Sequence, residues 1–211
     1  PDRFDLAVKD CEIIFHVAGW LGSPNSRTAA YAIGVDATTR LALAARSAGA
    51  RRFIYTSSIA VYGPVKDGVV DETQVQRPAY LYAEVKSLGE RAALATATDQ
   101  FGVSIIRPAE VYGPRNHAWT ILPVQLATRR LPSLVAGGHG LTHPAYIDNL
   151  IDAYLAAAVC PEAIGEAFNI CDGDVEWREF FGRFARMAGR QARSIPVALV
   201  WLGTLFAEIG A

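Results

Sequence analysis

The sequence has little of the residue types that mark disulfide frameworks, metal sites or polyanion binding. Its 211 residues include only three cysteines, at positions 11, 160 and 171, with no metal-ligand spacing between them. A small, odd number of cysteines fits a reducing compartment better than a disulfide framework, so we expect a cytoplasmic protein. The formal net charge of −1 gives no sign of binding to nucleic acid or to an anionic membrane.

Long apolar runs are also missing. The longest extends from Pro196 to Phe206 and contains Gly203 and Thr204, which makes it too short to span a bilayer. No signal-peptide pattern opens the chain, so we expect no membrane span. Apolar residues at 51% and charged residues at 19% are instead typical of a compact α/β protein with a substantial core. His139 and His143 have no carboxylate or thiol at ligand spacing, and we expect no metal.

Short apolar runs alternate with Ala- and Leu-rich segments in the first half of the chain. The pattern predicts strands at 12–17, 52–56 and 103–107 and helices at 28–48 and 80–100. A strand–helix–strand–helix–strand order is typical of a doubly wound parallel sheet with an α/β fold.

The alternation loosens after Pro108. Helices are predicted at 119–128, 148–159 and 175–188, with a strand near 167–170. We expect these residues to form a smaller lobe over the carboxyl edge of the sheet, where ligands bind in such folds. The late apolar segment Pro196–Ile209 either covers an apolar substrate or is a plain packing helix.

A phenol and an ammonium lie four residues apart at Tyr82 and Lys86, on one face of a predicted helix. A phenol titrates near pH 10, and a cation held beside it favours the phenolate, so the pair is suited to proton transfer at neutral pH. The spacing alone is common on exposed helix faces. Ser57 and Ser58 follow the 52–56 strand and supply a hydroxyl 24 residues before Tyr82, although serines there are also ordinary turn residues.

Three ordered motifs together resemble the extended short-chain dehydrogenase/reductase family, which includes nucleotide-sugar epimerases and dehydratases and 3β-hydroxysteroid dehydrogenase-like enzymes. The motifs are Tyr55-Thr56-Ser57-Ser58-Ile59-Ala60-Val61-Tyr62-Gly63, then Tyr82-x-x-x-Lys86, then Arg107-Pro108-Ala109-Glu110-Val111-Tyr112-Gly113-Pro114. The resemblance covers nearly the whole chain. It implies a Rossmann-type NAD(P)-binding domain over residues 1–114, incomplete at its N-terminus, and a mainly substrate-binding lobe over 115–211 from which the 167–170 strand returns to the sheet.

The resemblance also implies roles for individual residues. Ser58, rather than Ser57, would hydrogen-bond the substrate oxygen, and Tyr82 would be the general acid and base. Lys86 would hold the nicotinamide ribose of NAD or NADP and lower the pKa of Tyr82. Further cofactor contacts are expected from Ala18, Gly19, Pro108 and Ala109, and substrate contacts from Ser58, Glu110 and His143. The 28–48 and 80–100 helices correspond to the pair that relatives use to form a homodimer. His16 is expected to be a packed core histidine.

Two departures from the family pattern stand out. Nothing before His16 resembles the Gly-rich turn that cradles the cofactor pyrophosphate at a helix N-terminus. We therefore expect the family's N-terminal segment to be missing and the 211-residue chain to bind NAD(H) weakly or to aggregate. The second departure is Gly34, where relatives usually carry an asparagine that organises the active site.

Substrate class and catalysis leave alternatives open. Nucleotide-sugar enzymes of the family generally have an asparagine where this chain has Glu110 and an arginine near Thr142, both of which contact the substrate diphosphate. A carboxylate repels a diphosphate, so we expect hydride transfer at a secondary alcohol or ketone of a non-nucleotide, sterol-like substrate. The alternative is a nucleotide-sugar epimerase or dehydratase. An inactive NAD-sensing or scaffold protein that keeps only the fold is a third hypothesis.

Overall fold

The central sheet of the computed structural model, which describes residues 3–22, 26–65 and 68–199, has four parallel strands. They are β1 (Ile13–His16), β2 (Arg52–Thr56), β3 (Gly102–Pro108) and β8 (Ala167–Ile170), in the spatial order β1-β2-β3-β8. The register pairs Phe15 with Ile54 and Ile105 with Ala167. The predicted doubly wound α/β fold is confirmed, and so is the return of the 167–170 strand to the sheet.

Burial on both faces explains why the strand sequences are apolar runs without alternation. Every residue of β3 is buried, and Phe53, Ile54 and Tyr55 of β2 are at most 1% exposed. Small residues of the flanking helices, including Ala42, Ala45 and Ala93, pack against this sheet.

The helices around the sheet differ from the predicted spans in two places. Their bounds are α1 Phe4–Ala7, α2 Arg27–Tyr31, a π-helical segment Ala32–Asp36, α3 Ala37–Ser47, a 3₁₀ turn Ile59–Tyr62, α4 Leu81–Leu94 and α6 Ile147–Val159. The predicted 28–48 helix is therefore interrupted by one π segment. The 80–100 helix ends at Leu94, because the Thr96 hydroxyl donates to the carbonyl of Ala93 and competes with the helical pattern.

The chain divides into two compact units. The first contains the described residues up to Ala109 together with Asp148–Ile170, and the second contains Glu110–Ile147 together with the described residues from Cys171 onward. The sequence analysis divided the chain at 114 and assigned the helix at 148–159 to the smaller lobe. In the structure this helix belongs to the unit with the sheet, because it leads directly into β8.

The second unit is built from short strands and two helices around a cluster of aromatic rings. Its elements are β4 Glu110–Tyr112, a π-helical segment His117–Ile121, α5 Leu122–Thr128, β5 Leu134–Val135, β6 Leu141–Thr142, β7 Pro144–Tyr146, β9 Val175–Glu176, α7 Trp177–Met187 and β10 Ser194–Ile195. β4 pairs with β7 and β5 with β10, both in parallel, whereas β6 and β9 are antiparallel. The buried ring of Phe180 contacts Tyr112, Trp119 and Trp177 edge-on.

The late apolar segment lies mostly outside the described residues, which end at position 199. Its two proposed roles, covering a substrate or packing as a helix, therefore stay predictions. Within the described ranges, none of the helices combines the length and the apolar character that crossing a bilayer requires.

Gly34 lies where the π-helical segment packs against α4, and the structure leaves no room for a side chain there. A Cβ atom built on Gly34 would overlap Cγ1 of Val85, the residue that precedes Lys86. Val85 is itself 3% exposed, so it has little freedom to move. The glycine at position 34, which departs from the family pattern, therefore fits the valine at position 85 sterically.

We expect Gly34→Ala to lower the free energy of unfolding by about 1–3 kcal/mol, because it overpacks this contact. Val85→Ala removes the obstructing methyl groups, so the double variant should be more stable than the sum of the single losses predicts. Urea denaturation of the four proteins measures this coupling. Gly182→Ala on α7 is a matched control, because its Cβ would meet only the flexible end of Arg186 and should not destabilise. Strict additivity at positions 34 and 85 would contradict the proposed steric match.

Candidate functional site

The predicted cofactor and catalytic residues of the first unit lie at the carboxyl edge of the sheet. Ala18 and Gly19 follow β1, Ser58 follows β2, and Pro108 ends β3. The backbone amide of Ala109 donates to the carbonyl of Ile170 at 3.0 Å, which fixes the chain as it leaves β3. Parallel strands that end at one edge therefore collect these residues from distant positions in the sequence.

Ser58, and not Ser57, is the serine that meets Tyr82. Its Oγ accepts a hydrogen bond from the amide of Ala60 at 3.2 Å and caps the 3₁₀ turn. The Ser58 hydroxyl also lies near Tyr82, and it lowers the pKa of the phenol against the burial that raises it. The Ser57 side chain is 2% exposed, and its Oγ has no hydrogen-bond partner within the described part of the chain. The structure thus places two of the three predicted catalytic residues next to each other.

Lys86 is held by the backbone at the end of β2. Its Nζ donates to the carbonyl oxygen of Thr56 at 2.7 Å and lies 5.8 Å from the ring centre of Tyr82. The residue is 6% exposed, and this burial lowers its pKa to about 8 although the charge of Glu90 opposes the change. At neutral pH Lys86 is therefore still mostly protonated.

The expected lowering of the Tyr82 pKa by Lys86 is not what the structure shows. Burial of the phenol raises the pKa of Tyr82 above its ordinary value, and the Ser58 hydroxyl only partly offsets this effect. The Lys86 ammonium is hydrogen-bonded to the Thr56 carbonyl, and its Nζ lies 5.8 Å from the ring centre of Tyr82. The phenol is accordingly protonated at neutral pH.

The space beside Gly19 shows whether a nicotinamide cofactor could fit at the carboxyl edge of the sheet. A Cβ on Gly19 would lie 3.0 Å from Nζ of Lys86, closer than side-chain packing ordinarily allows. The exposed backbone of Ala18 and Gly19 thus comes close to the ammonium that is expected to hold the ribose. A glycine in this position leaves open a space that any other residue would fill, which suits a ligand at this strand end.

His16 is part of a buried chain of hydrogen bonds and carries no charge at neutral pH. Its Nε2 lies 2.9 Å from Thr38 Oγ1, and that hydroxyl donates to the carbonyl of Gly34 at 3.0 Å. The hydroxyl proton is used in the second bond, so His16 Nε2 is the donor in the first. Burial, together with the charge of Lys86, lowers the pKa of His16 to about 4. This agrees with a packed core histidine.

Tyr154 is a neighbour of the site that the motifs did not indicate. Its hydroxyl lies 2.6 Å from Thr56 Oγ1, and burial raises the pKa of Tyr154 although the Thr56 hydrogen bond lowers it. Tyr154 lies on α6, 98 residues from Thr56, so only the return of α6 to the sheet brings the two hydroxyls together. The single sequence signal was the position of Tyr154 on an apolar helix, which is equally typical of a core residue.

The second unit holds the other predicted substrate contacts, and it brings two of them together. The Glu110 carboxylate accepts a hydrogen bond from the backbone amide of His143 at 3.1 Å. The imidazole Nδ1 of His143 lies 2.8 Å from a carboxylate oxygen of Asp174, which the sequence analysis did not single out. Thr142 is 1% exposed, and its hydroxyl has no partner among the residues that the structure describes.

Comparison with known proteins gives a family and two kinds of relative. The model of the NAD-dependent epimerase/dehydratase family matches residues 2–171. The 3beta-hydroxysteroid-dehydrogenase/decarboxylase isoform 1 of Arabidopsis thaliana is 28% identical over 205 residues, which cover 88% of this chain and 46% of the relative. UDP-glucose 4-epimerase of Mycolicibacterium smegmatis is 30% identical over 190 residues, covering 84% of this chain and 60% of the enzyme.

The solved structure of MoeE5 in complex with UDP-glucose and NAD is similar with a TM-score of 0.80 and 27% identity, over 92% of this chain and 68% of that one. The chain spans about half the length of the sterol-dehydrogenase relatives that it matches. These matches confirm the resemblance that the three motifs indicated. The chain belongs to the NAD-dependent epimerase/dehydratase family, within the extended short-chain dehydrogenases/reductases.

Proposed function

We propose that this chain is an NAD-dependent oxidoreductase that acts at a secondary alcohol or ketone, with Tyr82 as general acid and base. The observation that carries the proposal is the position of the Lys86 ammonium, which the Thr56 carbonyl holds 5.8 Å from the ring centre of Tyr82, with Ser58 beside the same phenol. Ser58 hydrogen-bonds the substrate oxygen, and Lys86 binds the cofactor ribose. A hydroxyl, a phenol and a buried ammonium in one place are the groups that moving a proton to or from a substrate oxygen requires.

The residues that would hold NAD are those collected at the carboxyl edge of the sheet. Ala18 and Gly19 offer exposed backbone after β1, Pro108 and Ala109 follow β3, and Lys86 supplies a donor. When bound, the nicotinamide accepts or supplies the hydride. NAD, rather than NADP, is supported by the NAD complexes among the solved structures of relatives.

Proton transfer follows from how the hydroxyl groups are bonded. Ser58 Oγ accepts from the Ala60 amide, which leaves the serine proton free to be donated to another oxygen. In reduction, the phenol of Tyr82 gives its proton to the substrate carbonyl oxygen, and in oxidation the phenolate takes the proton of the hydroxyl. Burial works against the phenolate, and the Ser58 hydroxyl offsets part of this effect.

An apolar, sterol-like alcohol or ketone is the substrate class that we favour. Glu110 places a carboxylate where nucleotide-sugar enzymes of the family carry an asparagine, and the His143 amide orients it. Relatives described as sterol-4-alpha-carboxylate 3-dehydrogenases from human, mouse and cow are 25–27% identical to this chain. The Glu110 carboxylate would repel a diphosphate, and the sterol-dehydrogenase relatives also support a substrate that is not a nucleotide sugar.

A nucleotide-sugar epimerase is the second candidate. It is supported by the 30% identity to a UDP-glucose 4-epimerase and by the likeness to MoeE5 in complex with UDP-glucose and NAD. The proton chemistry at Ser58, Tyr82 and Lys86 would be the same in this case, so the two candidates differ only in what the second unit binds.

An inactive scaffold is the candidate of another class, and the intact Ser58, Tyr82 and Lys86 argue against it, because NAD sensing alone has no use for a general acid. The homodimer and the reducing, cytoplasmic compartment complete the proposal. They rest on the sequence, through the helices α3 and α4 and the three cysteines.

Replacing Tyr82 by phenylalanine tests the assigned chemistry. Tyr82→Phe removes one oxygen, so turnover should fall by at least about a hundredfold while cofactor binding is kept. Lys86→Met should weaken cofactor binding and lower the rate together. Tyr80→Phe is the matched control, because this exposed phenol stacks on Tyr82 and loses the same atom. Near wild-type turnover of Tyr82→Phe would show that the chemistry is assigned to the wrong residue.

A competition assay decides between the two substrate classes. We expect hydrophobic secondary alcohols and ketones to be turned over and UDP- or dTDP-sugars to compete poorly, because the Glu110 carboxylate repels a diphosphate. Glu110→Gln keeps an acceptor for the His143 amide and removes the charge, so it should improve competition by UDP-sugars. Micromolar binding of nucleotide sugars by the unaltered protein, without turnover of the hydrophobic compounds, would establish the epimerase alternative.

A further inference from the structure

Arg107 lies at the end of β3 with its side chain buried, and each of its three side-chain nitrogen atoms donates a hydrogen bond. Nε and Nη2 donate to the two carboxylate oxygens of Glu90 at 2.9 and 2.7 Å. Nη1 donates to the hydroxyl of Tyr62 at 2.6 Å. The side chains of Arg107 and Glu90 are 7% and 3% exposed, so this fork is almost fully removed from water.

The partners of Arg107 lie on the elements that carry the proposed catalytic residues. Glu90 is on α4, one helical turn after Lys86, and Tyr62 ends the 3₁₀ turn that Ser58 caps. Arg107 itself precedes Pro108, which is expected to contact the nicotinamide. One guanidinium therefore joins the helix of Tyr82 and Lys86, the turn of Ser58 and the end of β3.

A second layer of hydrogen bonds extends this connection. Gln76 donates to Glu90 at 2.6 Å and accepts from the hydroxyl of Ser87 at 2.5 Å. The Tyr62 hydroxyl donates to the side-chain oxygen of Asn169 on β8 at 2.8 Å. Gln76, which lies between the Ser58 turn and α4, is thus hydrogen-bonded to α4. The turn itself is hydrogen-bonded to β8 at the edge of the sheet.

Stability is a poor explanation for a buried ion pair, because well-packed apolar side chains of similar volume are often at least as stable. An apolar pair, however, does not provide the directional geometry of hydrogen bonds. The planar guanidinium bonds the carboxylate through two parallel hydrogen bonds, so it sets both the distance and the rotation of α4 relative to β3. Reactions that depend on aligned groups are sensitive to displacements of about 1 Å.

Glu90 also acts on Lys86 electrostatically. Its charge raises the pKa of Lys86, against the burial that lowers it. The other groups that face the Lys86 ammonium are the rings of Tyr55 and Tyr82 and the imidazole of His16, which is neutral at pH 7. The carboxylate of Glu90 is therefore the anion among these neighbours.

We propose that Arg107 and Glu90 are positioning residues, which set the alignment of Ser58 with Tyr82 and Lys86 and place a carboxylate one helical turn from Lys86. This inference rests on the proposed function of those three residues. Neither Arg107 nor Glu90 is proposed to touch the substrate or the cofactor. Arg107 acts through geometry, Glu90 through geometry and charge, and the two contributions can be separated by substitution.

The test follows the Lys86 side chain directly by NMR of ¹³C-labelled lysine, with Lys86→Met to assign its signal among those of Lys9, Lys66 and Lys86. In the unaltered protein we expect Lys86 to titrate at about pH 8. Glu90→Gln removes the favourable charge, so Lys86 should titrate at lower pH and the alkaline limb of the rate profile should move with it. The doubly neutral variant Glu90→Gln/Arg107→Gln should recover part of this displacement.

Arg107→Lys separates geometry from charge. It keeps the positive charge and loses the fork, so kcat should fall by about tenfold or more while the Lys86 titration stays close to that of the unaltered protein. Tyr62→Phe removes one hydroxyl only and should lower kcat in the same way, which keeps the test open where a substitution at Arg107 fails to fold.

Ser104→Ala is the matched control. Ser104 is a fully buried polar residue on the same strand, but its hydroxyl bonds to the carbonyl of Ala163, away from the proposed catalytic residues. It should change stability without changing kcat or the titration of Lys86. Unaltered kcat and titration in folded Glu90→Gln, Arg107→Lys and Tyr62→Phe would overturn the inference. The NMR titration does not depend on turnover, so it distinguishes this failure from a failure of the proposed function.

Discussion

The parallel pairing of β2 with β1 and β3 is the constraint on which the site depends. Thr56 is in register with Ile106, and the amide of Ser57 still donates to the carbonyl of Ile106 at 2.7 Å before the chain leaves the sheet. Ser58 is therefore the first residue free to turn toward α4. The Thr56 carbonyl, left at the strand end, becomes the acceptor that holds Lys86. A shift of register by one residue would exchange the roles of Ser57 and Ser58.

Burial raises the pKa of Tyr82 and lowers the pKa of Lys86. Both changes favour the neutral form of the side chain. The phenol becomes a weaker acid and the ammonium a stronger one. A site intended for proton exchange must therefore contain groups that restore the charged forms, and these are the Ser58 hydroxyl for Tyr82 and the Glu90 carboxylate for Lys86. Removing the Ser58 hydroxyl would change the pKa of Tyr82, and removing the Glu90 carboxylate would change the pKa of Lys86.

The sequence was sufficient to predict the features that depend on neighbouring residues and on where strands end. Periodicity and motif order were enough for the α/β fold and for the placement of Ser58, Tyr82 and Lys86, because helical spacing and a shared strand edge are local consequences of the chain. The contacts Thr56–Tyr154 and Glu90–Arg107 were not predicted, since they join residues that only tertiary packing brings together. The π-helical interruption at Ala32–Asp36 was not predicted either, although the segment contains Gly34 and the β-branched residues Ile33 and Val35, which are weak helix formers.

The residues proposed for chemistry and those proposed for selectivity lie in different units of this chain, and they depart from the family pattern to different degrees. The proton-transfer residues match the family motifs, and the one departure beside them, Gly34, meets a valine that fills the space of a side chain. The second unit departs in charge, with Glu110 and Asp174 both bonded to His143. A backbone amide holds the Glu110 carboxylate in place, so a ligand group that approaches it meets a fixed negative charge. An enzyme that must accept a diphosphate at this position would need that charge removed or neutralised, whereas an uncharged, apolar substrate would not. In the function proposed for this chain, electrostatics in the second unit would therefore select the substrate class while the proton chemistry stays the same.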